Sequence, residues 1–396
     1  MFDIPAPQSQ NGLSRSAQAV TMSGVESPQL KLTRLLESQK KIKENKSKPI
    51  NFSQPILWQK ENPVFFPKTI NVIQGKAGVH KSRLAETICA ALLKTPDSNR
   101  DLLDFKTNIL SRYAVCYVDT ERNLSDQLPY SLQQIQLKAG YTIQDDPYGF
   151  DYISLLEFAR EERFDMLNIY LEHIRKQFPM HLFIVLDVIT DCVFNFNDTK
   201  DSMKLIDMMN QSINRYDVTF LCLIHENPGS TDKARGHLGT EILNKASTVL
   251  QIGFEKDAQN HNTDLIKVNF LKCRSSKKHE PFYVQYSDTE KGLIMANPNT
   301  IQTAFDSRNQ KAFLEEITEF LSVQLTEEMP RRKLIELLCD EFDCAERAIE
   351  KKLKKIIEFN LPIINQENVC TSLCKRSAGK EIYYFLTPSL SNETST

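Results

Sequence analysis

Long apolar runs, a leader-like start and an excess of charge of either sign are all missing from this chain of 396 residues. No segment approaches the roughly 18 consecutive apolar residues that a membrane-spanning helix needs. The first residues lack the basic-then-apolar order of a secretory leader. The formal net charge is only -2, so contact with nucleic acid would require a local basic patch. We therefore expect a cytoplasmic protein with no membrane partner.

The nine cysteines also lack the spacing of a metal site. Their number is odd and most lie inside apolar segments, which is typical of reduced core cysteines in a cytosol. The pairs Cys339/Cys344 and Cys370/Cys374 have no second Cys or His pair at zinc-binding spacing. We expect no zinc site.

A strand, a glycine-rich turn and a helix follow one another at residues 69–93. The turn matches the phosphate-binding pattern G-x-x-x-x-G-K-[ST], except that a histidine replaces the second glycine. Backbone N–H groups of such a turn surround phosphates, the lysine adds positive charge, and the hydroxyl takes Mg²⁺. The predicted nucleotide-binding residues are Gly75, Lys76, Ala77, Gly78, Val79, His80, Lys81 and Ser82.

This pattern predicts binding of ATP, or another nucleoside triphosphate, together with Mg²⁺. Lys81 would act on the phosphates and Ser82 would be a metal ligand. We expect Gly78 to carry part of the bend that the missing glycine would have supplied. The histidine at position 80 leaves a degenerate or accidental loop as the alternative.

Two more strand patterns end in acidic residues. Residues 181–187 end in Asp187, and an acid at the carboxyl end of a parallel strand lies beside the phosphate loop, so we expect Asp187 to hold Mg²⁺. Residues 114–121 end in two acids, of which Glu121 is the first candidate for polarising the attacking water and Asp119 the second. The alternatives are a turn aspartate at 187 and a surface carboxylate at 121.

A third strand pattern, residues 218–224, ends at His225. We expect this histidine to contact the γ-phosphate or the lytic water, the alternative being a structural histidine. A Gly-rich, basic loop follows over residues 227–241, and its Lys233, Arg235 and His237 are predicted to hold single-stranded DNA in a ring channel. An ordinary flexible loop is the alternative.

Lys272 and Arg274 alternate on a later strand pattern and so share one face. We expect them to reach the γ-phosphate of a neighbouring subunit, which would make hydrolysis depend on assembly. The alternative is salt bridging within the subunit.

Three regions differ in composition. Residues 1–50 form a polar arm with one short amphipathic helix, which either docks on a neighbouring subunit or packs loosely on the surface. Residues 51–300 alternate strand and helix patterns, which predicts an α/β domain with a mostly parallel sheet between helices. The short runs at its end favour antiparallel strands that extend the sheet.

Residues 301–396 predict a winged-helix-like domain: helices at 311–323, 331–342 and 344–359, then a basic hairpin. We expect duplex DNA contact there, with protein contact through solvated charges as the alternative. The predicted DNA-binding residues of this domain are Arg347, Lys351, Lys352, Lys355, Lys375 and Arg376, with Lys380 at the hairpin tip.

The order of these motifs resembles the RecA-like P-loop ATPases of the RepA-type and DnaB-type hexameric helicase branch. The resemblance spans roughly residues 60–295, and residues 225–246 are similar to ATPases carried on bacterial plasmids and mobile elements. It implies a RecA-like core, a hexameric ring and an ATP-driven motor on single-stranded DNA. It also implies Glu121 as the catalytic acid, His225 as the γ-phosphate sensor, and Lys272 and Arg274 acting on the next subunit's nucleotide.

Three functions follow from these predictions. The first is a replicative or mobilisation helicase that hydrolyses ATP. The second is a nucleotide-gated DNA-binding regulator, or an initiator or loader, that uses the C-terminal domain without unwinding. The third is a RecA-like signalling or clamp-type ATPase with no DNA partner.

Overall fold

The computed structural model of the protein describes residues 27–108, 111–229, 233–258, 260–308, 312–379 and 381–388. Several of the sequence predictions extend outside these ranges. They concern residues 1–26 of the polar arm, residues 230–232 of the basic loop, Lys311 and Lys380, residues 109–110 and 259 of the α/β region, and residues 309–310 and 389–396 of the C-terminal region.

The secondary structure comprises the following elements. The helices are α1 (Pro28–Lys46), α2 (Lys81–Leu93), α3 (Gln127–Ala139), α4 (Arg160–Gln177), α5 (Thr199–Tyr216), α6 (Gly236–Lys245), α7 (Pro298–Arg308), α8 (Leu314–Gln324), α9 (Arg331–Phe342) and α10 (Glu346–Glu358). The strands are β1 (Leu57–Gln59), β2 (Asn62–Phe65), β3 (Ile70–Gly75), β4 (Phe105–Lys106), β5 (Tyr113–Asp119), β6 (Phe150–Ser154), β7 (His181–Asp187), β8 (Val218–His225), β9 (Thr248–Lys256), β10 (Asn262–Cys273), β11 (Phe282–Ser287), β12 (Gly292–Met295), β13 (Met329–Pro330), β14 (Ile363–Ile364), β15 (Cys370–Ala378) and β16 (Glu381–Pro388).

The chain divides into two units, and the helix α1 lies in the first of them, whose described residues are 27–53. The hydroxyl of Ser27 accepts a hydrogen bond from the backbone N–H of Leu30 and caps the helix start. All of its residues are exposed, including the leucines of its apolar stripe. No helix among the described residues is long and apolar enough to cross a membrane.

A nine-stranded sheet forms the centre of the larger unit, in the order β12-β11-β10-β9-β3-β8-β7-β5-β6. The six strands from β9 to β6 pair in parallel, and β10, β11 and β12 extend the sheet antiparallel. This mixed α/β architecture, with a large and mostly parallel sheet, confirms the predicted sheet type. All residues of β3 and β5 are buried, as expected for strands covered on both faces.

Helices cover both faces of this sheet. One apolar core lies between the sheet and α2 with α3, and the other lies between the sheet and α4, α5 and α6. The strands β1, β2 and β4 form a separate small sheet. All nine cysteines are free thiols.

The C-terminal part consists of three helices, α8, α9 and α10, and a four-stranded antiparallel sheet in the order β13-β16-β15-β14. A third apolar core holds these elements together. The hairpin of β15 and β16 is the longest pairing in this sheet.

One predicted loop is shorter in the structure than in the sequence analysis. The helix α6 begins at Gly236, so the second half of the 227–241 segment is helical. Glu226 pairs with Ala234 in an isolated bridge, and the N–H of Arg235 donates to the carbonyl of His225. The basic segment, called the basic turn below, therefore contains a turn at residues 228–229 and paired residues on both sides of positions 230–232, and a helix follows it.

Candidate functional site: a phosphate loop at the carboxyl edge of the sheet

The phosphate loop joins the end of β3 to the start of α2. A Cβ at Gly75 would lie 2.4 Å from the carbonyl oxygen of Ile252, so only glycine fits there. Gly78 has φ +76° in open space, and it carries a left-handed bend as predicted. His80 also lies in the left-handed region, with φ 65° and ψ 28°, directly before the first residue of α2.

The side chain of His80 packs against two aromatic rings. Its imidazole stacks on Tyr286, with centroids 5.0 Å apart and an interplanar angle of 16°. It also meets Phe254 edge-on at 5.9 Å. Burial, and secondarily the positive charge of Arg83, lowers the pKa of His80, so the ring is neutral at pH 7. The unusual histidine is thus built into an aromatic cluster beside the phosphate loop.

Lys81 makes two contacts within the site. Its Nζ donates to the carbonyl oxygen of Lys76 at 2.8 Å and lies 3.2 Å from Nδ1 of His225. Burial lowers the pKa of Lys81, although the carboxylates of Asp187 and Glu121 oppose this effect. Parallel pairing of β3 with β8 places Gly75 opposite His225, which explains how the lysine and the histidine meet.

Glu121 faces the other ring nitrogen of His225. The distance from His225 Nε2 to Glu121 Oε1 is 3.8 Å. Contact with His225, and then the charges of Lys81 and Arg122, lowers the pKa of Glu121. Glu121 is therefore ionised at neutral pH, as a group that accepts a proton from water must be.

Asp187 presents one free oxygen to the site. Its Oδ2 accepts hydrogen bonds from the hydroxyl of Tyr117, at 2.7 Å, and from Arg122. Among the described residues Oδ1 accepts no hydrogen bond, although Asp187 is 3% exposed. A carboxylate oxygen beside a phosphate loop fits Mg²⁺, which takes one or two protein oxygens together with phosphate and water. Ser82, in the first turn of α2, is the second protein oxygen at the same cavity.

Arg122 is a residue that the sequence analysis missed. Its guanidinium contacts three buried carboxylates, with Nε 2.7 Å from Asp119 Oδ2, NH1 3.4 Å from Glu86 Oε1, and NH2 on Asp187. Asp119 in turn accepts the backbone N–H groups of Glu121 and Arg122 through Oδ1. Asp119 therefore fixes the turn, while Glu121 is the acid that faces the cavity.

One cavity is lined by four of the eight predicted nucleotide-binding residues, together with Glu121, Asp187 and His225. It has a volume of about 440 Å³ and is lined by Gly78, His80, Lys81, Ser82, Arg83, Glu121, Asp187, Val188, His225 and Tyr286. The register of the parallel strands explains the convergence, because Asp119 at the end of β5 lies opposite Asp187 at the end of β7. The carboxyl ends of the strands thus meet at one edge of the sheet.

Lys272 and Arg274 lie against a helix end of the same chain. Lys272 Nζ donates to the carbonyl oxygens of Leu243, at 2.6 Å, and Asn244, at 3.0 Å. Arg274 NH2 donates to the Asn244 carbonyl at 2.8 Å. These are the last carbonyls of α6, where cations stabilise the helix end. The structure brings the two residues together, as predicted, but on backbone carbonyls of their own chain.

The predicted DNA-binding residues near the basic turn differ in exposure. Lys233 and Arg235 are exposed, and the Arg235 guanidinium lies 5.2 Å from the ring centroid of Phe196. His237 is half-buried in the first turn of α6. At the base of the turn, Glu226 Oε1 accepts from the side chains of Gln74 and Gln251.

The basic residues of the C-terminal part occupy two places. Arg347, Lys351 and Lys355 are exposed on α10, and Lys352 is half-buried. On the hairpin, Lys375 and Arg376 are exposed. Nε of Arg376 lies 2.5 Å from Oε1 of Glu328, so an acidic partner from the same chain already neutralises this guanidinium.

No family model matches the chain, and no curated protein matches it. Among solved structures, the chain is similar to one described as the crystal structure of the RadB recombinase, with 14% sequence identity and a TM-score of 0.40. The similarity covers 58% of this chain and 92% of the RadB chain. A similarity at this level carries no inference about function.

Proposed function

We propose that the protein is an ATP-hydrolysing DNA motor, a ring-forming helicase that acts on single-stranded DNA. The observation that carries the proposal is the convergence of Lys81, Glu121, Asp187 and His225 on one cavity of about 440 Å³ at the N-terminus of α2. A helix N-terminus, a lysine, an ionised acid and a metal-binding acid are the parts that phosphoryl transfer to water requires.

In this proposal the triphosphate lies along the backbone N–H groups of the phosphate loop. The Lys81 ammonium turns from the Lys76 carbonyl and His225 toward the β- and γ-phosphates. Ser82 and the free oxygen of Asp187 would hold Mg²⁺, which would neutralise negative charge on the phosphates. Glu121 orients the attacking water and accepts its proton.

His225 is the residue that would report the nucleotide. It contacts both Lys81 and Glu121, so a phosphate that draws Lys81 away changes the hydrogen-bond partners of the ring. The N–H of Arg235, at the other end of the basic turn, donates to the His225 carbonyl at 2.8 Å. A shift of His225 would therefore move the turn that we assign to single-stranded DNA.

Lys272 and Arg274 connect the same segment to assembly. In a ring, the γ-phosphate of the neighbouring subunit would compete with the α6 carbonyls for these cations. The contacts of these cations with α6 would then break when the neighbouring subunit binds nucleotide. Hydrolysis would therefore depend on oligomer formation.

The test is ATP turnover measured with and without single-stranded DNA, alongside the molecular mass by light scattering. We expect turnover that rises with single-stranded DNA, a mass of several subunits, and loss of turnover in Lys81→Ala. Lys106→Ala, which removes an exposed lysine paired with Glu61, is the control and should leave turnover unchanged. An ATP turnover rate that is the same with and without single-stranded DNA would support a signalling or clamp-type ATPase instead.

A second candidate function is a nucleotide-gated DNA-binding regulator, initiator or loader. The observation that favours it is α10, whose exposed Arg347, Lys351 and Lys355 lie opposite the buried Leu353 and Ile356. In this function the winged-helix-like domain binds duplex DNA, and ATP sets the oligomeric state. Displacement of a strand from a forked duplex separates the two functions, because only the helicase produces it.

A further inference from the structure

Three buried carboxylates converge behind the nucleotide cavity. Asp119, Glu86 and Asp187 are 0%, 1% and 3% exposed. They come from β5, α2 and β7, so only the folded chain brings them together. Carboxylates this deeply buried need a cation or several donors to remain charged.

Arg122 is the cation that all three share. Each of its nitrogen atoms faces a different carboxylate, and NH2 also donates to the hydroxyl of Tyr117 at 2.9 Å. The planar guanidinium has fixed donor directions, which a lysine lacks. Its side chain is 17% exposed, so the contacts are sheltered from solvent.

Two consequences follow for the site. Arg122 and Tyr117 both donate to Oδ2 of Asp187, which leaves Oδ1 as the oxygen that is free to bind a metal. The backbone N–H groups of Glu121 and Arg122 both donate to Oδ1 of Asp119, whose other oxygen accepts from Arg122 Nε. The same guanidinium therefore orients Asp187 and secures the turn that carries Glu121.

We propose that Arg122 is a positioning residue of the nucleotide site, which sets Mg²⁺ affinity by fixing the orientation of Asp187. This inference rests on the proposed ATPase function. Residues that hold a metal-binding side chain in place typically contribute 10–100-fold to metal affinity. Arg122 holds Asp187, the proposed metal-binding side chain, in place in this way.

The test is Arg122→Lys, which keeps the positive charge and removes the forked geometry. Mn²⁺ binding to the full chain with the non-hydrolysable analogue AMP-PNP is followed by the loss of the free-ion EPR signal. We expect Mn²⁺ affinity to fall by about 10–100-fold, while the affinity for metal-free AMP-PNP changes by less than about threefold.

The matched control is Arg160→Lys. Arg160 also makes a fork with an aspartate, donating to both carboxylate oxygens of Asp191 at 3.2 and 3.1 Å, but outside the cavity lining. The Mn²⁺ affinity of the Arg160→Lys variant should equal that of the unaltered chain. Since loss of Arg122 threatens folding, Tyr117→Phe is the second variant: it removes one donor to the same Asp187 oxygen and should weaken Mn²⁺ in the same direction by a smaller factor.

The outcomes separate this inference from the proposed function. If the unaltered chain binds no AMP-PNP with Mn²⁺, the proposed function fails. If the unaltered chain binds both, while folded Arg122→Lys and Tyr117→Phe bind Mn²⁺ as tightly as it does, the function survives and the positioning role of Arg122 is wrong.

Discussion

The histidine at position 80 allows a direct test of how the unusual phosphate loop is built. The perturbation is His80→Gly, which restores the glycine of the common phosphate-loop pattern. His80 has φ 65°, and glycine adopts this backbone without strain. The same change removes the stack of the imidazole on Tyr286, whose centroid lies 5.0 Å away.

The loss of the aromatic contact and the greater backbone entropy of glycine destabilise the folded state, whereas relief of the backbone strain stabilises it. An aromatic pair contributes about 0.5–1.5 kcal/mol beyond its buried area, and the freer glycine costs about 0.5–1 kcal/mol in backbone entropy. Glycine also removes the strain of the left-handed backbone, which stabilises the folded state by roughly 1–2 kcal/mol. We therefore expect the free energy of unfolding to change by between about -1.5 and +1 kcal/mol, from the sum of these three terms.

The assay is urea unfolding of four chains: the unaltered one, His80→Gly, Tyr286→Leu and the double variant. The cycle should give a coupling of about 0.5–1.5 kcal/mol between the two positions. Calorimetry with AMP-PNP and Mg²⁺ should show affinity for His80→Gly within about threefold of the unaltered chain, because the backbone cradle persists. A coupling of zero would refute the stacking, and loss of nucleotide binding would refute the view that the backbone of the loop does the binding.

Three further outcomes are expected. Glu121→Gln should lower ATP turnover by about 10²–10⁴-fold and leave nucleotide affinity intact, because it removes only the proton acceptor. If turnover of this variant equalled that of the unaltered chain, another group would be the proton acceptor. Arg274→Ala should lower turnover in the assembled ring, although the Asn244 carbonyl merely loses one donor; intact turnover would make the action on a neighbouring nucleotide wrong. Burial lowers the pKa of His181 despite the nearby Asp217. The contribution of the neutral His181 to the free energy of unfolding is therefore fully present above the unfolded pKa of about 6.5, and it is lost as the pH falls below that value. Thermal unfolding of His181→Gln should therefore depend less on pH between about 7.5 and 5.5, and an unchanged pH dependence would contradict the assignment.

The strands that carry the site could be predicted because they are buried on both faces. The strands β5, β7 and β8 are mostly apolar and each ends in a polar residue, and this pattern alone locates Asp187 and His225. The edge strand β6 was missed, since only one of its residues is buried and no apolar run marks it.

The first six residues of α6 were predicted as part of the 227–241 loop because glycine, serine and basic residues are frequent in that segment. Gly239 is a packing residue: a Cβ there would lie 2.7–2.9 Å from atoms of Ala234. The requirement for glycine therefore comes from a contact between the turn and the helix, which local sequence does not reveal.

The Arg122 network lay outside the reach of the sequence for the same reason. An arginine directly after Glu121 is typical of a solvated turn, and nothing in the sequence brings Glu86 and Asp187 to it. The backbone-carbonyl contacts of Lys272 and Arg274 likewise depend on where α6 ends.

Lys81 at the start of α2 and the acids Glu121 and Asp187 form the site that we propose for a magnesium–triphosphate complex. Its most direct test is calorimetric titration of AMP-PNP with Mg²⁺ into the unaltered chain and into Lys81→Ala. We expect saturable binding of one nucleotide per subunit by the unaltered chain and its loss in the variant. If the folded, unaltered chain bound no nucleotide, the proposed site would be wrong.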